Sequence, residues 1–311
     1  MGRARSLRAY RAPLLLALLG AAACSTTSPD KPRLAYPPEE FAAEVDRRVP
    51  GLPKRLAGAP YEVDDAVIER SREMLRQLPR GPQRIQALVA FLGEPQPDGL
   101  GIVYDFAATG SAEATIERRR GNCVSLAMLL VGIARGLGWP AYFVEVRSRR
   151  PETKDFVGIR TVSDHMAVLI PVESYTRIVD FTGRVDDELL EVNVIDDVTA
   201  YAHVLNNLSA QRVMLADGEP DAAAWDAAIQ GFELATQLQP KLGRAWNNLG
   251  IALTRRGRFD EARVMYERAV ELDTAFGAAE HNLTLMETRA EGVARVRAAP
   301  LPGASPSGRD D

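Results

Sequence analysis

Two apolar runs dominate the hydropathy pattern of the chain, and they carry different meanings. The first, Pro13 to Ala23, follows a basic stretch holding Arg3, Arg5, Arg8 and Arg11. It is too short to span a bilayer as a helix and reads as the apolar core of an export leader. The second follows Gly121-Asn122-Cys123 and is closed by Gly138 and Pro140. Its length and composition predict a helix with Asn122 as its cap. Three shorter runs, AYFVEV from Ala141, DHMAVLI from Asp164 and RIVDF from Arg177, predict strands.

A longer period governs residues 243–276. Trp246, Leu249, Gly250, Gly257, Phe259, Ala262, Tyr266, Ala269 and Leu272 fall where a helix–turn–helix unit of about 34 residues alternates small and large side chains. The stretch resembles the tetratricopeptide repeat, with Thr274 where the pattern prefers Pro. One period earlier, Leu215, Ala216, Trp225, Ala228, Phe232, Ala235, Leu238 and Pro240 repeat it. Arg212 mismatches Trp246, and the turn moves to Asp217-Gly218-Glu219-Pro220. One period later, Asn248-Leu249 falls on Asn282-Leu283, which predicts a capping helix over about 277–290. So short an array needs support from a neighbouring domain, so it is expected to pack on the domain before it. It serves either as a protein-binding groove or as a buttress.

Composition narrows the picture only at the ends. The 311 residues carry a net charge of −4, which gives no footprint for nucleic acid. The apolar leader ends in Ala21-Ala22-Ala23-Cys24 before STTSPDKP. That resembles a bacterial lipobox, although Ala21 stands where Leu is usual. The resemblance implies lipidation of Cys24, export, and a membrane anchor facing the periplasm. Ser25 favours an outer membrane where the cell has one. Each buried methylene of such an anchor contributes about 0.8 kcal/mol. Residues 24–38 read as a tether and 291–311 as a disordered tail.

With Cys24 committed to lipid, Cys123 has no intrachain disulfide partner, since the chain has two cysteines. In the first turn of a capped helix, its thiolate is stabilised by backbone N–H groups and the helix dipole. Of the three histidines, His281 is expected at the surface of the capping helix and His203 in the helix entering the repeats. His165 opens the DHMAVLI strand, and Asp180 lies in RIVDF. Taking Pro171 to Ser174 as a hairpin loop sets Ile170 opposite Tyr175. His165 then faces Asp180 directly, with Cβ atoms about 5 Å apart, while Asp164 points the other way. A thiol, an imidazole base and an orienting carboxylate are the parts of a nucleophilic acyl-transfer site. The Cys123 N–H would supply one oxyanion donor, with the Asn122 side chain as a weak candidate for another. Two cysteines and three scattered histidines lack metal-ligand spacing, and no phosphate-binding glycine motif occurs. No cofactor is expected.

The order of cysteine on a helix, then histidine and aspartate on successive strands, resembles the transglutaminase-like superfamily, a papain-like fold. The resemblance covers about 80–185, including RIQALVAFLGE, GIVYDFAATGSAEATIERRRGNC and the two strands. It implies Cys123 as nucleophile, His165 as base and Asp180 as its orienter. His165-Met166-Ala167 departs from the family's frequent aromatic residue shortly after the histidine. The expected architecture is an α+β papain-like core over 39–196, then an all-α tetratricopeptide array over 197–290. The expected function is an exported, anchored thiol enzyme. It would cleave or transfer amide or peptide acyl groups on a protein or peptide substrate, with a protein partner at the repeats. The alternative is a non-catalytic binding lipoprotein with a relict cleft. An arylamine acetyltransferase with the same residue order ranks last, because its acyl-CoA donor is not expected outside the cytoplasm.

Overall fold

The computed structural model describes residues 10–11, 33–52, 58–148, 153–156, 159–162, 165–172, 175–182, 190–214, 219–272 and 277–298. Cys24, the tether up to residue 32, Asp164, Ser174, Leu215, Ala216, Asp217-Gly218 and Thr274 lie outside them.

The chain opens with β1 (Tyr10–Arg11), then α1 (Pro38–Arg48), α2 (Asp65–Leu75), α3 (Pro82–Gly93), β2 (Val103–Tyr104), α4 (Ala112–Arg118) and β3 (Arg120–Gly121). Next comes α5 (Cys123–Gly136), the axis of the first half. Every residue from Cys123 to Ala134 is buried. That explains why its sequence is apolar all round rather than along one stripe. Gly138, at φ 79°, turns the chain out of it. The strands follow: β4 (Tyr142–Ser148), the hairpin β5 (Thr153–Phe156) and β6 (Ile159–Val162), β7 (His165–Val172), β8 (Tyr175–Val179) and β9 (Leu190–Ile195). Five strands form one sheet in the order β1-β8-β7-β4-β9. β1 lies within the segment read as a leader and pairs antiparallel with β8.

One face of the sheet carries Phe143, Met166, Val168, Ile170 and Val179 into the same core as α5. The other face gathers Val144, Val146 and Ala167, with Leu169 and Ile178, into a small separate cluster. Strand alternation produces this division.

The β7–β8 register differs from the expected one by two residues. Ile170 faces Arg177 and Val172 faces Tyr175, leaving only Glu173 and Ser174 between the strands. The expected loop began at Pro171, a residue type that interrupts a sheet ladder. Here it pairs with Thr176 at a point where β4 no longer runs alongside, since the β4–β7 ladder ends at Tyr142 and Leu169. A proline costs no ladder bond on that open side. The shift is even, so it leaves the facing of each residue unchanged.

The second half is helical: α6 (Asp197–Met214), α7 (Ala222–Leu238), α8 (Gly243–Arg255), α9 (Phe259–Glu271) and α10 (Ala278–Ala298). Its first members do not stand apart. Val198, Tyr201, Leu205, Leu234, Leu238, Leu242 and Ala245 belong to the core that surrounds α5. Within the repeat, a Cβ on Gly250 would meet the Tyr266 ring at 2.8 Å, so the small–large pairing read from sequence is a real contact. Asparagines then tie successive repeats together. Asn248 Nδ2 donates to Asn206 Oδ1 at 2.9 Å, and Asn282 Nδ2 donates to Asn247 Oδ1 at 3.0 Å.

α10 corrects the expected boundary, running to Ala298 rather than giving way to a disordered tail at residue 291. Gly292 is a single weak spot followed by Val-Ala-Arg-Val-Arg-Ala, and the first strong stop is Pro300. Among the described residues no helix is long and apolar enough to cross a membrane.

One glycine sets how closely α5 is wrapped. A Cβ on Gly132 would lie 2.0 Å from the Tyr61 carbonyl oxygen and 2.6 Å from Val63 Cγ2. Backbone cannot yield as a flexible side chain can. Gly132→Ala is expected to cost about 1–3 kcal/mol despite the better helix propensity of alanine, read by urea denaturation. A neutral or stabilising result would contradict this packing.

Candidate active site

The start of α5 is built from side-chain and backbone bonds that converge on Asn122. Its backbone is extended (φ −86°, ψ −174°), and its Oδ1 accepts from the Ser125 N–H at 3.1 Å, as a cap should. Its own N–H donates to the Ala108 carbonyl at 2.8 Å. Ser125 Oγ accepts from the Gly110 N–H at 2.8 Å and lies 3.1 Å from the Ala108 carbonyl. The loop before α4 therefore wraps the first turn of α5. Asn122 Nδ2 donates to Thr109 Oγ1 at 2.7 Å. One of its amide hydrogens is thus committed, which leaves the other for any oxyanion role.

Cys123 is the first residue of α5 and is 9% exposed. Burial pushes its thiol up from the usual value. The Met166 N–H pulls it down, the Asp180 carboxylate pushes it up, and the Val124 N–H and the Arg244 guanidinium pull it down. The helix-start argument from sequence therefore captured only the stabilising half of the environment. Enclosure by apolar neighbours outweighs it.

His165 is the first residue of β7, half-buried and paired across the ladder with Val146. Regular alternation counts it with Ala167, on the face away from α5. At the terminal residue of a strand, however, the pleat no longer dictates where the side chain goes. The residue after it is the one the thiol meets: the Met166 N–H is bonded to the Cys123 sulfur. Asp180 lies one residue beyond β8 and is buried. Its Oδ1 accepts from the Thr182 N–H and lies 2.9 Å from Thr182 Oγ1. Extending the observed register sets Asp180 opposite Ala167. By position along the strands it is therefore diagonal to His165, rather than directly across from it.

Three residues not assigned to the site from sequence stand around it. Arg244, at the second position of α8, is felt by the thiol. It lies between Leu242 and Ala245, both packed in the core that holds Cys123. The other two are His203 and Glu145, both buried. Glu145 is the ladder partner of Met166, and His203 Nε2 lies 3.0 Å from its Oε1, close but without hydrogen-bond alignment. The alternation signal could have marked Glu145, a carboxylate on the α5-facing side of AYFVEV. Nothing local could have paired it with His203 on α6. His203→Leu takes the imidazole away from that carboxylate and leaves a void between α6 and β4. It is expected to destabilise by about 1–3 kcal/mol, as read by denaturant midpoints; an unchanged midpoint would contradict the packing of His203 against Glu145. His281, expected at the surface, is half-buried.

Comparison with known proteins agrees with this division of the chain. Residues 100–186 match the family model of the transglutaminase-like superfamily, and residues 243–274 match that of the tetratricopeptide repeat. The chain thus carries a transglutaminase-like domain followed by a tetratricopeptide repeat. Cys123, His165 and Asp180 all lie within the first match. Over 48 residues the chain is 42% identical to small glutamine-rich tetratricopeptide repeat-containing protein 2 of Mycosarcoma maydis. That alignment spans 15% of this chain and 14% of the relative.

Proposed function

We propose that this chain is an exported, lipid-anchored thiol enzyme that cleaves or transfers amide or peptide acyl groups. Cys123 is its nucleophile, His165 its base and Asp180 the orienter of that base. The observation that carries the reading is the meeting of a capped helix start with a strand start: the Cys123 sulfur takes the N–H of Met166, the residue next to His165. Burial favours a protonated resting thiol, so the proton leaves during attack. The sulfur bonds to the acyl carbon while His165 accepts the thiol proton. The imidazolium then protonates the departing amine, leaving a thioester on Cys123. Water or a second amine attacks that thioester, with His165 again taking the proton. The Cys123 N–H is one donor to the oxyanion. Export and anchoring through Cys24 rest on the leader sequence. The repeats support a protein partner as well as the core.

A second reading, a non-catalytic scaffold, is favoured by the thiol's burial and by asparagines tied up between repeats rather than turned outward. One experiment separates the two. A form lacking residues 1–24 is incubated with p-nitrophenyl acetate and its intact mass is read. The enzyme reading expects one hydroxylamine-labile acetyl group on Cys123, absent from Cys123→Ser and His165→Ala. A chain that takes up no acyl group at Cys123 is a scaffold.

A further inference from the structure

One clamp from the helical half grips the thiol's helix start. Gln211, near the end of α6, holds Thr109 at two points. Its Oε1 accepts from the Thr109 N–H at 3.1 Å, and its Nε2 donates to Thr109 Oγ1 at 2.6 Å. Thr109 is buried, and the same Oγ1 accepts from Asn122 Nδ2 at 2.7 Å. Both lone pairs of that hydroxyl are then occupied by amide donors. On its other side the Asn122 amide caps α5 through Ser125. Gln211, Thr109, Asn122 and Ser125 thus form a connected chain of hydrogen bonds from α6 to the first turn that carries Cys123.

The chain of bonds has a consequence for orientation. An amide has one oxygen and one nitrogen, and Asn122 must aim its oxygen at Ser125 to cap the helix. Its nitrogen is then held by Thr109, and the Thr109 hydroxyl and N–H are both held by Gln211. Without Gln211, a buried N–H loses its acceptor. The loop over residues 108–110 must then shift to find another, and it takes the Asn122 amide with it. The geometry points to Gln211 as a positioning residue for Cys123: through Thr109 and Asn122 it fixes the α5 start so that the sulfur keeps its place at the Met166 N–H. The inference rests on the proposed role of Cys123 and His165, and it makes the helical half part of the thiol's machinery. Any movement of α6 relative to the 108–110 loop detunes the thiol.

The test is the rate of Cys123 alkylation by iodoacetamide across pH, measured on the form lacking residues 1–24. Gln211→Leu is expected to lower the His165-dependent rate at neutral pH at least tenfold. Gln211→Glu keeps an acceptor for the Thr109 N–H and can accept the Thr109 hydroxyl proton, so it is expected within about threefold of wild type and remains informative where the leucine variant folds poorly. Gln239→Leu is the control. Gln239 Nε2 donates to Thr199 Oγ1 at 2.7 Å at the other end of α6, so it loses a similar bond and should melt earlier without moving the profile. Thr109→Val with Gln211→Leu should be no worse than Gln211→Leu alone, because both break one relay. A Gln211→Leu profile that matches wild type, or a Gln239→Leu profile that falls equally, overturns this inference and leaves the proposed function standing. A wild-type profile indifferent to His165 overturns both.

Discussion

Asp197→Ala lowers the folding free energy by about 3–5 kcal/mol. Asp197 opens α6 and is 0% exposed. Its Oδ2 accepts from Arg135 Nη1 at 2.7 Å and from the Tyr36 N–H at 2.8 Å, and its Oδ1 accepts from Arg135 Nη2 at 2.9 Å. Arg135, in the last turn of α5, also donates from Nε and Nη2 to the Ala141 carbonyl at 3.0 and 2.9 Å. It lies over the Tyr61 and Phe143 rings. One carboxylate therefore joins the end of α5, the start of α6 and the segment leading to α1. Removing it leaves a guanidinium in a mostly enclosed site and a backbone N–H without its acceptor. The attraction itself is not the main quantity, because a buried pair loses much of its Coulombic gain to desolvation. Arg135→Met with Asp197→Leu is accordingly expected to recover most of the loss. Equilibrium urea unfolding of the two variants checks both statements. A loss below about 1 kcal/mol for Asp197→Ala would mean that water reaches this junction.

His165→Ala slows acylation of Cys123 by about 10²–10⁴-fold, the usual span for loss of a general base. The expectation is large because burial works against the thiol. An exposed cysteine ionises appreciably near neutral pH, but burial pushes this one up. Its reactivity therefore depends on a group that accepts the proton as the sulfur attacks. Asp180→Asn should cost less, since in the proposed site Asp180 would orient the ring rather than meet the substrate. Its carboxylate also opposes the thiolate, so its loss removes one unfavourable charge. Stopped-flow acylation with p-nitrophenyl acetate measures both. Equal losses for the two variants would contradict their separate roles.

The parts of the fold written in local pattern were legible in the sequence. Asn122 caps α5, the apolar run after it is the buried axis, and Gly250 meets Tyr266 as the repeat spacing required. Register was harder. The pleat assigned His165 and Asp180 to one face, but loop length is not a periodic property, and the strands run on through Pro171 and Val172 where a loop was expected. Contacts between distant segments left no local trace. Gln211 meets Thr109 across 102 positions, and His203 meets Glu145 between α6 and β4. The thiol's enclosure was invisible for the same reason. A helix start advertises its N–H groups in sequence, while the walls around it come from β7, Asp180 and α8.

The account stands most directly on the pH dependence of Cys123 alkylation by iodoacetamide in wild type and His165→Ala. It predicts appreciable reaction at neutral pH in wild type, because His165 takes the thiol proton as the sulfur attacks. In His165→Ala it predicts at least a tenfold loss, with reaction appearing only as pH climbs above the ordinary thiol range of about 8.5. Coincident profiles, both rising only at alkaline pH, would contradict it and make Cys123 a packing residue at the head of a buried helix.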